Sequence, residues 1–352
     1  MKTRRPLRLV LTHEHFPPDY RGGGELLVLE TAKHLQARGH RVQVVTTGDP
    51  DLRTFDGIAT CRLPIGRYRM NLAWQDIEAA ARDADLIHTF TYHATYPAYR
   101  AGRALRKPVV CGVLALFGDV WRQMRGGLTG RAFQALEVFL LRLPFDARIY
   151  LSAASHELAR SLRLDRPGDV VIEPGINLAE YCAAPDKSCV MFAGKLESRK
   201  GIDTVLEVAA QLPHIPFRIM GWGERFAAIA AARPANVTLE HFVNRAALAA
   251  ALSRARVFLF PTKAETFGIA VVEAMASGCA IASTSTLPFE GIRIDATDVG
   301  ATAAAVSALW SDPESCRRMG AQNRQAAELY SWERHVDSLE VLYEQLLEQQ
   351  VG

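Results

Sequence analysis

Three short stretches of this 352-residue chain combine residue types that could hold an anion or a polyhydroxylated ligand. The first is Gly22-Gly23-Gly24-Glu25, directly before a segment of helical periodicity. Without Cβ atoms, such a turn lets backbone N–H groups and a helix N-terminus approach an anion closely. A dinucleotide-binding Gly-x-Gly-x-x-Gly fits less well, because counted from Gly22 its third glycine position holds Leu27. The second stretch is Gly194-Lys195, followed by Lys200-Gly201-Ile202-Asp203. One lysine ends an apolar run and the other stands at a helix entrance. Two ammonium groups there suit a diphosphate, whose charge grows on one oxygen as it departs; two solvated loop lysines is the plainer reading. The third is Glu265-Thr266-Phe267-Gly268, continuing to Glu273 and Gly278, with seven residues between the glutamates. A carboxylate can accept paired hydrogen bonds from a sugar or ribose diol, while the helix N-terminus offers N–H groups to phosphate. Exposed glutamates at a helix front are also ordinary partners of the helix dipole.

The elements that must position these residues alternate. A short apolar run at 7–12 precedes a helical pattern at 25–38 stopped by Gly39, and a β-branched run follows at 42–46. The same order recurs in strands at 86–88, 109–113 and 148–151, with helices near 96–105 and within 131–142. Such alternation implies a parallel sheet with helices on both faces. A second series starts after Glu173-Pro174-Gly175-Ile176-Asn177, a Pro-Gly turn that reads as a hinge. Its strands are expected at 189–193, 217–220, 237–241, 257–260 and 280–283, with helices near 202–212, 226–232, 245–253 and 269–277. Residues 301–350 read as almost wholly helical, broken at Asp312-Pro313 and before Ser331, a cap with Glu333 in the following turn. The expected fold is therefore α/β, with two doubly wound Rossmann-like domains and C-terminal helices. The division is 1–172, 173–330 and a last helix, 331–352, that can cross back to the first domain.

Composition excludes some classes. Net charge of +3 is too weak to argue for nucleic acid and tolerates an anionic ligand or an acidic membrane surface. The six cysteines, Cys61, Cys111, Cys182, Cys189, Cys279 and Cys316, show no Cys-x-x-Cys spacing and read as reduced core residues of a cytoplasmic protein. The basic start is followed by an apolar run too short for a signal peptide, and no later segment reaches the roughly twenty apolar residues of a membrane span. His13 and His15 flank Glu14 without a third ligand at a recognisable spacing, so no metal is assigned and an acceptor-side or structural role is expected. The stretch from Trp121 to Arg142 mixes Arg122, Arg125 and Arg131 with Phe133, Phe139, Leu140 and Leu141. A core-facing helix with a solvated basic side explains it most simply. A peripheral surface resting on anionic lipid at the inner face of a membrane is the sharper reading.

Together these stretches resemble the retaining glycosyltransferases of family 4, which have the two-Rossmann GT-B fold with domains facing across a cleft. The resemblance rests on Phe16-Pro17-Pro18 with Gly23-Gly24-Glu25, Pro174 to Asn177, Gly194-Lys195 with Lys200-Gly201, Gly221-Trp222-Gly223-Glu224, the block from Glu265 to Gly278, and Ser331-Trp332-Glu333. It implies a metal-independent hexosyltransferase using a nucleoside diphosphate sugar as substrate, with no cofactor. The acceptor would be a glycan, a lipid-linked saccharide or a small molecule. It further implies that Gly23, Gly24, Gly194, Lys195 and Lys200 meet the diphosphate. Glu265 with the backbone of Phe267, Gly268 and Ile269 would hold the sugar, and Glu273 the ribose. Lys195 stands where an arginine is more usual. The histidine that the family commonly places shortly after the strand at 107–110 is missing, and Cys111-Gly112-Val113-Leu114 follows instead. His88 and His93 are therefore further acceptor-side candidates. A GT-B sugar-nucleotide epimerase and a catalytically weak nucleotide-sugar binding protein are the alternatives.

Overall fold

Along the strand Arg8–Thr12 (β1), Leu9 and Leu11 sink into one hydrophobic cluster and Val10 into another, so helices must cover both faces of its sheet. The computed structural model describes residues 5–19 and 22–351. It divides into two units, Met1–Pro174 with Trp332–Gly352, and Gly175–Ser331.

In the first unit, β1 is joined by Arg41–Thr47 (β2), Thr54–Phe55 (β3), Ile58–Leu63 (β4), Leu86–Phe90 (β5), Val109–Val113 (β6), Ala147–Tyr150 (β7) and Asp169–Val171 (β8). Their order is β3-β4-β2-β1-β5-β6-β7-β8, parallel apart from the β3–β4 hairpin. Helices Gly23–Ala37 and Trp332–Val351 supply Val28, Leu29, Leu35, Leu339 and Tyr343 to the cluster holding Leu9 and Leu11. Helices Trp74–Ala81 and Thr95–Leu105 supply Ile77, Ala81, Ala98 and Ala101 to the opposite one.

The second unit contains Cys189–Lys195 (β9), Phe217–Trp222 (β10), Val237–His241 (β11), Ala255–Phe260 (β12), Ala280–Ser283 (β13) and Gly291–Arg293 (β14). All are parallel, in the order β11-β10-β9-β12-β13-β14. The helix break expected at Asp312-Pro313 is a capping event: the Asp312 carboxylate accepts from Ser315 N–H, and Pro313 opens helix Pro313–Ala327. In each sheet the strand order reverses beside one strand, β1 between β2 and β5, and β9 between β10 and β12. In open α/β sheets ligands bind outside the carboxyl ends of the strands at that reversal.

Two expectations need correction. Cys182 is exposed and Cys61 half-buried; only Cys111, Cys189, Cys279 and Cys316 are core residues. The arginine-rich stretch forms two helices, Val120–Arg125 and Gly127–Leu141, and the second is not mainly core-facing. Leu140 and Leu141 point inward, whereas Leu128 is 83% and Phe139 49% exposed. No helix among the described residues is long and apolar enough to cross a membrane.

Candidate functional site

In the second unit the loops after β9 and β12 are stitched together beside the reversal. Arg199 Nη1 donates to Ala264 O at 3.0 Å, and Lys263 N–H donates to Arg199 O at 2.8 Å. Gly201 is the tightest point, with φ of 81° and a position at which a Cβ would fall 2.0 Å from Pro261 O. Gly201→Ala is therefore expected to destabilise the unit by about 3 kcal/mol, from overpacking added to left-handed strain. Gly39→Ala, with similar φ and open space around it, isolates the strain at about 1 kcal/mol. Urea unfolding of the two variants measures the difference.

This stitching brings Lys200 and Glu265 into a salt bridge, with side chains 18% and 20% exposed. Thr266 N–H donates to the other Glu265 oxygen at 3.2 Å. Lys195, at the end of β9, pairs with Glu197 at 2.5 Å. Burial works to raise the Glu197 pKa, but hydrogen bonding and charge from Lys195, with Arg199 and Lys200 behind it, hold the carboxyl below its ordinary value. Both ammonium groups thus have a carboxylate partner, and Glu197 is a member of the cluster that sequence reasoning missed. Arg225 adds a further cation near the loop, bridging Asp203 and Ser198. Gly194, with φ of 150°, lies within β9 opposite Gly221, one residue before Lys195.

Helix Ile269–Ala276 begins at Gly268, whose φ is 92°, with no side-chain cap. Val271 N–H donates to Gly268 O at 2.8 Å, and the N–H groups of Ile269 and Ala270 ahead of it receive no side-chain cap. Phe267 is buried against Tyr330. Glu273 is not an exposed helix-front residue: it is buried, and the Tyr181 hydroxyl donates to its Oε1 at 2.8 Å. Burial raises its pKa against the opposing charge of Arg245 and the Tyr181 hydrogen bond. Among the described residues it makes no ion pair with Lys195 or Lys200. Tyr181 carried no sequence signal, since it lies in the linking segment rather than near the glutamate block.

The reversal in the first unit gathers a second group. Glu14 follows β1, is buried, and accepts from Tyr92 N–H at 3.4 Å and His93 N–H at 3.1 Å. Burial works against its charge, but His13, His93 and two backbone N–H groups outweigh it and keep its pKa low. His13 Nδ1 meets His15 O at 2.6 Å, and His93 Nδ1 meets Asn71 at 3.0 Å. His13, His15 and His93 thus sit together around Glu14. Neither these nor any other three or more His, Cys, Asp or Glu side chains among the described residues are placed so that they could hold a metal ion together. His88 does not join them. Its strand continues to Phe90, so His88 lies inside the sheet, where its Nδ1 is hydrogen-bonded with the Tyr343 hydroxyl at 2.7 Å. Burial lowers its pKa to about 3.

Tyr92 is tied to Glu137, a carboxylate within the apolar stretch of helix Gly127–Leu141. Glu137 also accepts from Phe117 N–H, Gly118 N–H and Trp121 Nε1, at 2.8–3.1 Å. Its burial is explained by four donors rather than by solvent. Gly23 opens the first helix without a side-chain cap, and a Cβ there would meet nothing. A Cβ at Gly24 would lie 3.0 Å from Leu114 Cδ1. Leu114, in the segment without the family histidine, therefore packs against the glycine turn.

Two family models match. "Glycosyltransferase Family 4" covers residues 21–180 and "Glycosyl transferases group 1" covers residues 179–326. The chain is 26% identical to a phosphatidyl-myo-inositol mannosyltransferase of Mycobacterium leprae, over 93% of this chain and 94% of that protein. It is 22% identical to a D-inositol 3-phosphate glycosyltransferase of Streptomyces scabiei, over 94% and 89%. Among solved structures it resembles a sucrose-phosphate synthase from Thermosynechococcus elongatus, with a TM-score of 0.82 at 22% identity over 98% of this chain and all of that one. The Anabaena protein HepE, solved with UDP and glucose, gives 0.74 at 16% identity over 98% of this chain and all of its own. At these identities the structures show a shared fold.

Proposed function

Because the chain belongs to the group 1 glycosyltransferases, of the family 4 type, we propose that it moves a hexose from a nucleoside diphosphate to an acceptor hydroxyl with retention at the anomeric carbon. The observation that carries the reading is the Lys200–Glu265 pair beside the uncapped start of helix Ile269–Ala276, at the reversal of the second sheet. A diphosphate would draw Lys200 and Lys195 from their carboxylates, freeing Glu265 for the sugar hydroxyls. Gly194 and the backbone of Phe267, Gly268 and Ile269 line the same loops. Glu273, buried under Tyr181, is proposed for the ribose, and the open side of Gly23 and the turn at Gly24 for a phosphate oxygen.

In the transfer, the bond from anomeric carbon to phosphate oxygen breaks and a bond to the acceptor oxygen forms on the same face. The acceptor proton passes to the departing phosphate. No enzymic nucleophile is required, and charge growing on the diphosphate is met by the two lysines and the helix N-terminus. The relatives' acceptors are inositol-bearing, which supports an acceptor with a polyhydroxylated ring here. His13, His15 and His93 around Glu14 are proposed for its hydroxyls. Exposed Leu128 and Phe139 beside exposed Arg122, Arg125 and Arg131 support peripheral contact with an anionic membrane and a lipid-borne acceptor.

Incubation with labelled nucleoside diphosphate hexoses, with phosphatidylinositol or inositol phosphate as acceptor, tests the reading. Label is expected in the acceptor, unchanged by excess chelator because the lysines replace a divalent ion. Release of free epimerised sugar without acceptor, or retention of intact donor with every acceptor, would contradict transfer. Abolition by chelator and rescue by magnesium would contradict metal independence alone.

A further inference from the structure

At the amino-terminal ends of β9, β12 and β13, the pole of the second unit opposite the loops described above, lies a cavity of about 330 Å³. Lys187, Arg256, Arg317 and Arg324 line it, and no carboxylate does. The two inner cations are committed to carbonyls. Lys187 Nζ donates to Ser253 O, Ala255 O and Ser277 O at 2.9–3.1 Å. Arg256 donates to Trp310 O and Lys187 O. Those bonds take all three N–H groups of Lys187 and two of the five of Arg256, and leave both positive charges in the floor of the cavity. The outer two, Arg317 and Arg324, project from helix Pro313–Ala327, are exposed, and have no ion pair or hydrogen-bond partner among the described residues.

The nearby acids stand beside the cavity and not in its lining: Asp312 is held at the helix N-cap, Glu314 pairs with Arg318, and exposed Asp186 lies in the chain between the lining residues Pro185 and Lys187. The helix is pressed onto the turn at Gly278, since a Cβ on Gly320 would fall 2.2 Å from Gly278 O. Arg317 and Arg324 are separated by seven residues, or roughly 10 Å along the axis, on the face that carries Gly320. A single small anion would reach one guanidinium. A ligand with several anionic groups would reach both and gain the field of the inner pair.

We propose that this cavity is a second binding site, for a soluble polyphosphorylated small molecule, distinct from the loops that hold the donor. Nothing in it is suited to group transfer, so its occupant acts as an effector or a stabilising ligand. The site and the function proposed above stand or fall separately.

Inorganic tripolyphosphate is the probe, titrated calorimetrically into the full chain at low salt. Wild type should bind, and so should a Lys195→Ala, Lys200→Ala variant in which the first set of loops is disabled. Replacing Arg317 and Arg324 together by alanine in that background should weaken binding at least tenfold, as loss of charged hydrogen bonds implies. Both arginines are exposed, so the variant should keep its thermal midpoint, and an Arg317→Lys, Arg324→Lys pair should restore part of the affinity. Binding lost with the two lysines and indifferent to the two arginines would overturn the proposal. So would absence of binding. Co-sedimentation with phosphatidylglycerol vesicles that is abolished by the arginine pair would assign the face to a lipid surface and overturn a soluble-ligand site.

Discussion

Replacing Lys200 by alanine is expected to lower kcat by roughly 10²- to 10³-fold, the range found when one preorganised donor to a developing oxyanion is removed. Lys200 is part-buried and pairs with Glu265, so its ammonium is partly desolvated and held close to the place to which a diphosphate would draw it. In such a place a charge stabilises a departing diphosphate more than a mobile surface lysine would. Affinity for the nucleoside diphosphate should fall as well, by roughly tenfold to a hundredfold, because the product carries the charge that the transition state develops. Folding stability should change by only about 1 kcal/mol, since the pair keeps some exposure. That split separates a catalytic lysine from a structural one. Lys200→Arg should recover part of the rate by keeping the charge. Glu265→Gln tests the partner: combined with Lys200→Ala it should cost less than the two losses multiplied, because they share one contact. A Lys200→Ala enzyme with kcat within a few-fold of wild type would remove the diphosphate from this loop.

Much of the second unit was legible because its strands are continuous apolar runs with glycine or lysine at their ends. The strands 237–241 and 280–283 and the helices 226–232 and 245–253 match the expected spans. In the first unit three short strands went unseen. The two-residue β3 forms its hairpin through Asp56 and Gly57, both at positive φ, and the Asp-Gly turn signal was passed over. Strand β4 hides its pattern behind Arg62, which is buried because it donates to Pro17 O and pairs with Asp19. Strand β8 carries Asp169, whose carboxylate receives Arg148 in a two-pronged ion pair inside the sheet. Charges that meet within the fold read from sequence as charges in solvent.

The same limit acted on the candidate site. Residue types were visible, partners were not. Glu273 was legible as a carboxylate near a helix start, but its burial under Tyr181 depends on a chain segment 92 positions away. Glu14 was read only as a spacer between two histidines, yet it is the group on which the loop after β5 closes. Lys195 and Lys200 were found by spacing, whereas Glu197, which neutralises the first of them, lies two residues on in a loop without periodicity.

Two histidines that seat the last helix are buried neutral, and by themselves they should cost the first unit about 4 kcal/mol of stability between pH 8 and pH 5. His88 meets Tyr343, and His335 meets Glu173 O at 2.8 Å and Thr31 at 3.4 Å, so both lie where helix Trp332–Val351 packs. Burial lowers their pKa values to about 3 and about 4, from 6.5. A folded pKa below the unfolded one means that the unfolded chain binds more protons between those values. The contribution is complete above pH 6.5 and is lost as pH falls, about 2 kcal/mol per histidine by pH 5. His34, stacked on Trp332 at 5.0 Å and also lowered by burial, adds a smaller loss because it is partly exposed. Other groups facing this helix shift the total without changing its sign. Burial raises the pKa of Glu173, which opposes the loss near the acid end, while His40 and Arg38 both reach Glu340. Glu14, with its lowered pKa, begins to matter only below the window, as pH drops past the ordinary carboxylate range. Urea unfolding followed at pH 8, 6.5 and 5 measures the loss. His335→Gln and His88→Gln should start less stable, yet each should lose about 2 kcal/mol less than wild type on acidification. An unchanged pH dependence in both variants would show that the acid sensitivity of the helix lies elsewhere.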